Sequence, residues 1–235
     1  PCGETGVTID GLTTDSSVDI DFEYESDGEI VRLLMLCDAF KRQFISIDKL
    51  NIPYVPYSRQ DRVCFKGESL SIKVFADIIN TIKAERVNII DPHSDVTAAL
   101  INNCHVTEQW EIFKPYFNDV NNKTLICPDQ GAIKKIKKLA DAINCWCTIS
   151  FIKTRDPEGK VHCIAPEYLL ITNTACYIVD DICDGGATFV AISEELKKSG
   201  ATKIVLMVTH GFFTKGLHVF DGLIDEIYTR KGRIK

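Results

Sequence analysis

Apolar positions along the chain follow two alternating spacings. Leu33, Leu34, Leu36, Cys37 and Phe40 recur at helical intervals behind a cap at Ser26 or Asp27, which predicts an amphipathic helix. A short β-prone run follows at 52–57. Ile72, Phe75, Ala76, Ile79 and Ile82 then share one face of a helix over 71–84. Residues 87–90 form an apolar strand ending at Asp91, and 124–127 form another ending near Asp129. A lysine-rich helix is expected over 131–142 and a strand over 145–152. A short buried strand at 177–179 leads through two acids and a glycine turn into a helix over 188–199, and a strand over 203–208 ends at Thr209, His210 and Gly211.

Strand, polar turn and helix in repetition specify an α/β fold built on parallel sheets with helices on both faces. The pattern runs twice, which predicts two domains, 1–110 and 111–235. The residues able to do chemistry fall just past the C-terminal ends of strands, where open α/β sheets place ligands. Residues 153–167 are the least regular stretch, carrying Lys153, Arg155, Asp156, Glu158, Gly159, Lys160 and two prolines; they read as an exposed, mobile loop.

Composition narrows the function. The 235 residues are 45% apolar, enough for one large or two small cores. A net charge of −6 argues against a general nucleic-acid binder, which needs a basic face. No apolar run approaches the roughly 20 residues of a membrane-spanning helix. Ten cysteines are scattered without a C-x-x-C pair or metal-type spacing, so they read as reduced, mostly buried thiols of a cytoplasmic protein. No signal peptide is visible. The chain opens on Pro1 rather than Met, which leaves room for an upstream segment.

The most informative segment is Tyr177-Ile-Val-Asp180-Asp181-Ile-Cys-Asp184-Gly185-Gly186-Ala187-Thr188. A buried strand delivers two carboxylates to the sheet edge. A turn of small residues then lets backbone N–H groups approach an anion, and the next helix aims its N-terminus at the same spot. This suits a sugar phosphate, with amides and Thr188 on the phosphate and carboxylates on the ribose hydroxyls. The segment resembles the ribose-5-phosphate loop shared by type I phosphoribosyltransferases and phosphoribosyl pyrophosphate synthetases.

Further segments favour the synthetase branch. Tyr54-Val-Pro-Tyr-Ser-Arg59-Gln60-Asp61-Arg62 resembles the ATP-binding segment of ribose-phosphate pyrophosphokinases. An arginine there pairs with triphosphate oxygens through parallel N–H bonds, and Gln60 can hydrogen-bond the nucleotide. Asp91-Pro92-His93 resembles the family's Asp-Leu-His strand end, and Pro128-Asp129 its Ser-Pro-Asp segment. The resemblance implies that His93 and Asp129 are ligands of the Mg2+ carried by ATP; the histidine follows from the resemblance alone, since a hard cation prefers oxygen. Lys153-Thr-Arg155 resembles the Lys-x-Arg that opens the family's catalytic loop. Cys2-Gly3-Glu4 resembles its Asp-Gly-Glu adenine contact, made across a subunit interface, and Thr209-His210-Gly211 its Ala-Thr-His-Gly.

The resemblance covers nearly the whole chain in the family's order. It implies two phosphoribosyltransferase-like (Rossmann-like) domains. It also implies transfer of pyrophosphate from Mg-ATP to the anomeric hydroxyl of ribose 5-phosphate by a homo-oligomer, dimer-based, with a hexamer as the larger assembly. Lys153 and Arg155 would be catalytic, with Arg155 also on the sugar phosphate; Cys2, Gly3, Glu4, Arg59 and Gln60 would hold ATP. Asp180, Asp181, Asp184, Gly185, Gly186, Ala187 and Thr188 would hold ribose 5-phosphate. Rival readings are a phosphoribosyltransferase, which shares only the ribose loop, a non-catalytic regulatory homologue and a simple nucleotide-binding module.

The match departs from the family in several places. Cys2 replaces an aspartate, and Asp95 stands where glutamine is usual. Gly185-Gly186-Ala187 replaces Thr, then Ala or Gly, then Gly, which removes a hydroxyl donor and predicts strain at Ala187. Phe213-Thr-Lys-Gly replaces a Ser-Gly-Pro run. Family members are longer at both ends, so the first strand and a returning C-terminal segment are expected to lie outside this chain.

Overall fold

The computed structural model describes all residues except 1–3, 14–15, 118–121, 157–160, 167–170 and 172–173, together with the side chains of residues 155 and 161. The chain divides into two compact units, Pro1–Thr107 and Glu108–Lys235.

The first unit alternates strand and helix: β1 (Ser17–Asp21), α1 (Asp27–Arg42), β2 (Ser46–Ile52), α2 (Ser71–Ile82), β3 (Arg86–Ile90), α3 (Asp95–Leu100) and β4 (Cys104–Thr107). The strands lie in chain order, β1-β2-β3-β4, all parallel. Helix α1 starts after extended Ser26, carries Asp27 and Glu29 in its first turn and Lys41 and Arg42 in its last, and so complements its own dipole. It buries Ile30, Leu33, Cys37 and Phe40, while α2 buries Ile72, Phe75, Ala76 and Ile79 and ends at left-handed Lys83. These faces pack on Leu50, Ile52, Val87 and Ile89 to form one core. The expected strand at 52–57 is corrected. The strand lies earlier and ends at Ile52, because 53–57 is a turn segment in which Tyr57 takes a positive φ of 62°.

The second unit runs α4 (Gln109–Phe113), β5 (Lys123–Cys127), a 3-10 turn (Gln130–Ala132), α5 (Ile133–Ala142), β6 (Thr148–Ser150), β7 (Ile152–Arg155), β8 (Val161–Ile164), β9 (Ala175–Cys183), α6 (Ala187–Lys198), β10 (Lys203–Gly211), β11 (Glu226–Thr229) and β12 (Gly232–Arg233). The main sheet has the order β12-β11-β10-β9-β5-β6 and is parallel except at β11–β12. Its central strands are apolar on both faces. Ile126, Cys176, Ile178, Ile204, Leu206 and Val208 pack with Phe189, Ile192 and Leu196 of α6. The alternate residues Leu125, Cys127, Tyr177, Val179, Val205 and Met207 pack with Phe113, Ile136 and Leu139.

The order also locates the crevice. From β5 the chain adds β6 on one side, and β9, β10 and β11 follow on the other. The β5–β9 boundary is therefore the topological switch point, and open α/β sheets bind ligands beyond the carboxyl ends of the strands there.

Three expected elements change. The strand at 145–152 splits into β6 and β7 around fully buried Phe151 and serves two sheets. Strand β9 is longer than 177–179 and carries both acids within it. The segment expected to be a mobile loop after 153 is in its described part an antiparallel hairpin, with Lys153 opposite Cys163. Among the described residues no helix is long and apolar enough to cross a membrane. The nine described cysteines are free thiols; Cys37, Cys127, Cys176 and Cys183 are buried, and Cys64 and Cys147 are exposed.

Candidate functional site

Chemistry in the second unit gathers at the switch point. Asp129 follows β5 by two residues. Its Oδ1 accepts from the backbone N–H of Gly131 (2.9 Å) and Ala132 (3.2 Å), capping the 3-10 turn that leads into α5. Its Oδ2 faces Lys153 Nζ of β7 at 3.5 Å. On the neighbouring β9, Asp181 is buried and its Oδ2 lies 3.5 Å from Lys135 Nζ of α5, while Asp180 Oδ1 accepts from the Asp181 N–H at 2.9 Å. Burial, and then the charge of Asp181, push Asp180 well above the ordinary carboxylate range, and the charge of Asp129 pushes the same way. The free site thus resists holding all its acids ionised.

The anion turn follows directly. Gly186 caps α6 with a left-handed φ of 81°, and a Cβ added there would stand 2.5 Å from Phe220 Cζ. Only glycine meets both demands. The strain expected at Ala187 is not found, because Gly186 takes the positive φ and Ala187 is already the first residue of α6. Thr188 lies half-exposed in that first turn. Asp184 is exposed and its Oδ1 accepts from Thr214 Oγ1 at 2.7 Å. Arg155 lies in β7, and its side chain is outside the described residues.

The first unit presents its own strand-end cluster. Adjacent parallel β2 and β3 send their loops out at one edge. After β2, Gln60 N–H donates to Tyr57 O (2.8 Å) and Ile72 N–H to Gln60 O (3.4 Å), tying the turn to α2 and leaving the Arg59 and Gln60 side chains exposed. Asp61, the next residue, is buried and accepts from Arg62 Nε at 3.0 Å. Burial pushes Asp61 up, but contacts with Ser94 and Arg62 and the charges of Arg62 and His93 outweigh it, so its carboxyl stays below the usual value. Half-buried His93 follows β3. Beneath this edge the Tyr24 and Tyr57 phenols both donate to Asp27; these bonds hold the Asp27 carboxyl low, with Tyr24 the larger cause. Glu4 is exposed in the irregular segment ahead of β1, whereas Cys2 and Gly3 lie outside the described residues.

The structure therefore brings Asp129, Lys153 and Asp180 to one edge in the second unit, with the 184–188 turn next in the chain. It sets Arg59, Gln60 and His93 at strand ends in the first. Sequence reasoning gave no role to Asp61, Lys135, Thr214 or Lys215. Asp61 stood inside the quoted segment, but nothing in its pattern distinguished a buried anchor from an exposed charge. A nucleophilic thiol is not part of the arrangement: burial pushes Cys127 up to about 11 and Cys183 to about 12, so both stay protonated at neutral pH. Among the described residues no three His, Cys, Asp or Glu side chains cluster as a metal cage. The Asp129 carboxylate past the end of β5 offers the oxygen donor that a hard cation takes.

Comparison with known proteins adds independent findings. The model of the phosphoribosyl synthetase-associated domain matches residues 170–229. A ribose-phosphate pyrophosphokinase of Thermococcus kodakarensis is 31% identical over 92% of this chain and 77% of its own length. One of Mycoplasmopsis pulmonis is 28% identical over 87% of this chain, which spans only 65% of that relative. The crystal structure of phosphoribosylpyrophosphate synthetase from Mycobacterium smegmatis shares the fold, with a TM-score of 0.78 and 21% identity over 92% of this chain and 72% of that one.

Proposed function

This chain belongs to the ribose-phosphate pyrophosphokinase family, and on that premise we propose that it transfers the β,γ-pyrophosphoryl group of ATP to the anomeric hydroxyl of ribose 5-phosphate. The products are phosphoribosyl pyrophosphate and AMP. The observation that carries this reading is the convergence, at the β5–β9 switch point, of a glycine anion turn, an adjacent pair of acids and a lysine paired with a strand-end carboxylate.

The 5-phosphate sits on the N–H groups of 184–188 and the Thr188 hydroxyl, at the positive end of α6. Asp180 and Asp181 accept from ribose hydroxyls. Arg59 takes triphosphate oxygens and Gln60 the nucleotide, with Glu4 and the undescribed Cys2 and Gly3 on adenine. His93 and Asp129 would offer ligands to the magnesium carried by ATP, which would supply neutralisation of phosphate charge. As the ribose hydroxyl attacks the β-phosphorus and AMP leaves, negative charge builds on the transferring oxygens. Lys153 and Arg155 stabilise that charge. The task is positioning and neutralisation, so no strong general base is required of the chain. We place the working protein in the cytoplasm as a homo-oligomer.

The test is incubation of the purified protein with Mg-ATP and ribose 5-phosphate. AMP and the pyrophosphorylated sugar should appear together in equal amounts. AMP release without the sugar product, or neither product, would overturn the reading.

A further inference from the structure

The loop after β10 runs back against the anion turn. Phe212 and Phe213 N–H both donate to Cys183 O (2.8 and 3.3 Å), Thr214 N–H donates to Asp184 O (3.1 Å), and Thr214 Oγ1 donates to Asp184 Oδ1 (2.7 Å). The next residue, Lys215, lies along Gly185. A Cβ built on Gly185 would meet Lys215 Cγ at 3.6 Å, Cδ at 3.5 Å and Cε at 3.4 Å, so the whole stem follows the turn and the ammonium is one bond further on. Lys215 is exposed, and among the described residues it has no hydrogen-bond or ion-pair partner.

We infer that Lys215 is a phosphate-binding residue of the sugar-phosphate site, setting its ammonium on the 5-phosphate held by residues 184–188. This rests on the function proposed above and extends its ligand set.

Charge supplies the reason. A phosphate dianion here must sit beside Asp180, Asp181 and Asp184, and Thr188 is the turn's only hydroxyl. Lys135 and Lys153 already face Asp181 and Asp129. Among the described residues Lys215 is an uncommitted cation in contact with the turn, and a lysine head is a compact point charge suited to a phosphate. Its base is also fixed in advance. The bonds from residues 212–214 to Cys183 and Asp184 anchor the loop to the turn, so less freedom is lost when the ammonium engages. Gly185 keeps the lane open, since a β-branched side chain there would crowd the stem.

The experiment compares wild type, K215A and K215R by direct titration with ribose 5-phosphate and with unphosphorylated ribose, alongside kinetics and thermal melting. K215A should weaken ribose 5-phosphate at least tenfold and K215R should recover most of the loss. The KM for ATP should stay within twofold, the melting temperature should be unchanged, and ribose should not distinguish the proteins. A K215A protein that binds ribose 5-phosphate within twofold of wild type, or loses ATP and melting temperature in parallel, overturns the role of Lys215. If that happens while wild type still makes AMP from Mg-ATP and ribose 5-phosphate, the functional reading survives without Lys215. A wild type that binds no ribose 5-phosphate sinks both.

Discussion

Lys153 Nζ of β7 stands 3.5 Å from Asp129 Oδ2 at the end of β5, so the cation assigned to the transferring group and the carboxylate assigned to the nucleotide's magnesium face each other in the free protein. Both side chains are about one-third exposed, at 28% and 34%. A pair this open is worth about 1 kcal/mol or less, cheap to exchange for phosphate and metal. Removing the cation should therefore spare the fold and damage the reaction. K153A should lower turnover about 100-fold or more, the scale seen when one preorganised donor to transition-state charge is lost. Its melting temperature should stay within a degree or two of wild type. AMP release at saturating substrates and a thermal melt measure both; turnover near wild type removes Lys153 from the mechanism.

Gly186 and Phe220 test how the anion turn is held. Any side chain at 186 must adopt a φ of 81° and push its Cβ into the Phe220 ring. G186A should destabilise the protein by about 2–4 kcal/mol, combining the left-handed penalty with overpacking. The further change F220A should not restore stability, because Phe220 is fully buried in the core against α6. Urea unfolding of the single and double variants checks this. A G186A protein as stable as wild type would mean that the turn relaxes freely.

Much of this site was legible in the sequence because its parts are local. The glycine turn, the strand ends at Asp91 and near Asp129 and the helix faces of α1 and α2 each follow from spacing within a dozen residues. What was not legible depends on pairing over longer distances. Asp181 is held by Lys135, 46 residues earlier, and Asp184 by Thr214, 30 residues later. The hairpin of β7 and β8 was hidden because its polar, proline-containing composition is that of a loop; its strand character comes from pairing Lys153 with Cys163. The misplaced strand at 52–57 has a simpler cause: aromatic and β-branched residues favour strands, but the turn required by the 54–62 segment overrides that preference.

Asp180 couples binding to stability. Its folded pKa is raised, chiefly by burial and then by Asp181. A raised acid contributes stability that is fully present below the unfolded carboxylate pKa and lost as pH rises through the folded one. At neutral pH the free protein therefore bears the strain of a buried acid, and D180N should raise its melting temperature by a few degrees. The gain should shrink as pH falls toward the ordinary carboxylate range. The same variant should weaken ribose 5-phosphate, since one acceptor for the ribose hydroxyls becomes a donor. Melting curves from pH 4 to 8 and a substrate titration read both effects; a gain that does not depend on pH would show that ionisation of Asp180 is not its source.

Arg59 separates the two substrates. Its guanidinium is exposed, on a turn pinned by the Gln60-to-Tyr57 and Ile72-to-Gln60 backbone bonds, with Asp61 buried beneath. The turn should therefore keep its shape when the exposed side chain is shortened, and any effect should fall on ligands alone. A bidentate arginine–phosphate contact contributes about 1.5–3 kcal/mol, so R59A should raise the KM for ATP by roughly 10- to 100-fold. R59K should recover little, because a single ammonium cannot reproduce two parallel N–H bonds. The KM for ribose 5-phosphate should stay within twofold, because that substrate is assigned to side chains and amides of the second unit. Initial rates with one substrate varied at saturating levels of the other decide the matter. Equal losses for both substrates would mean that Arg59 shapes the enzyme generally, and an unchanged KM for ATP would place the triphosphate elsewhere.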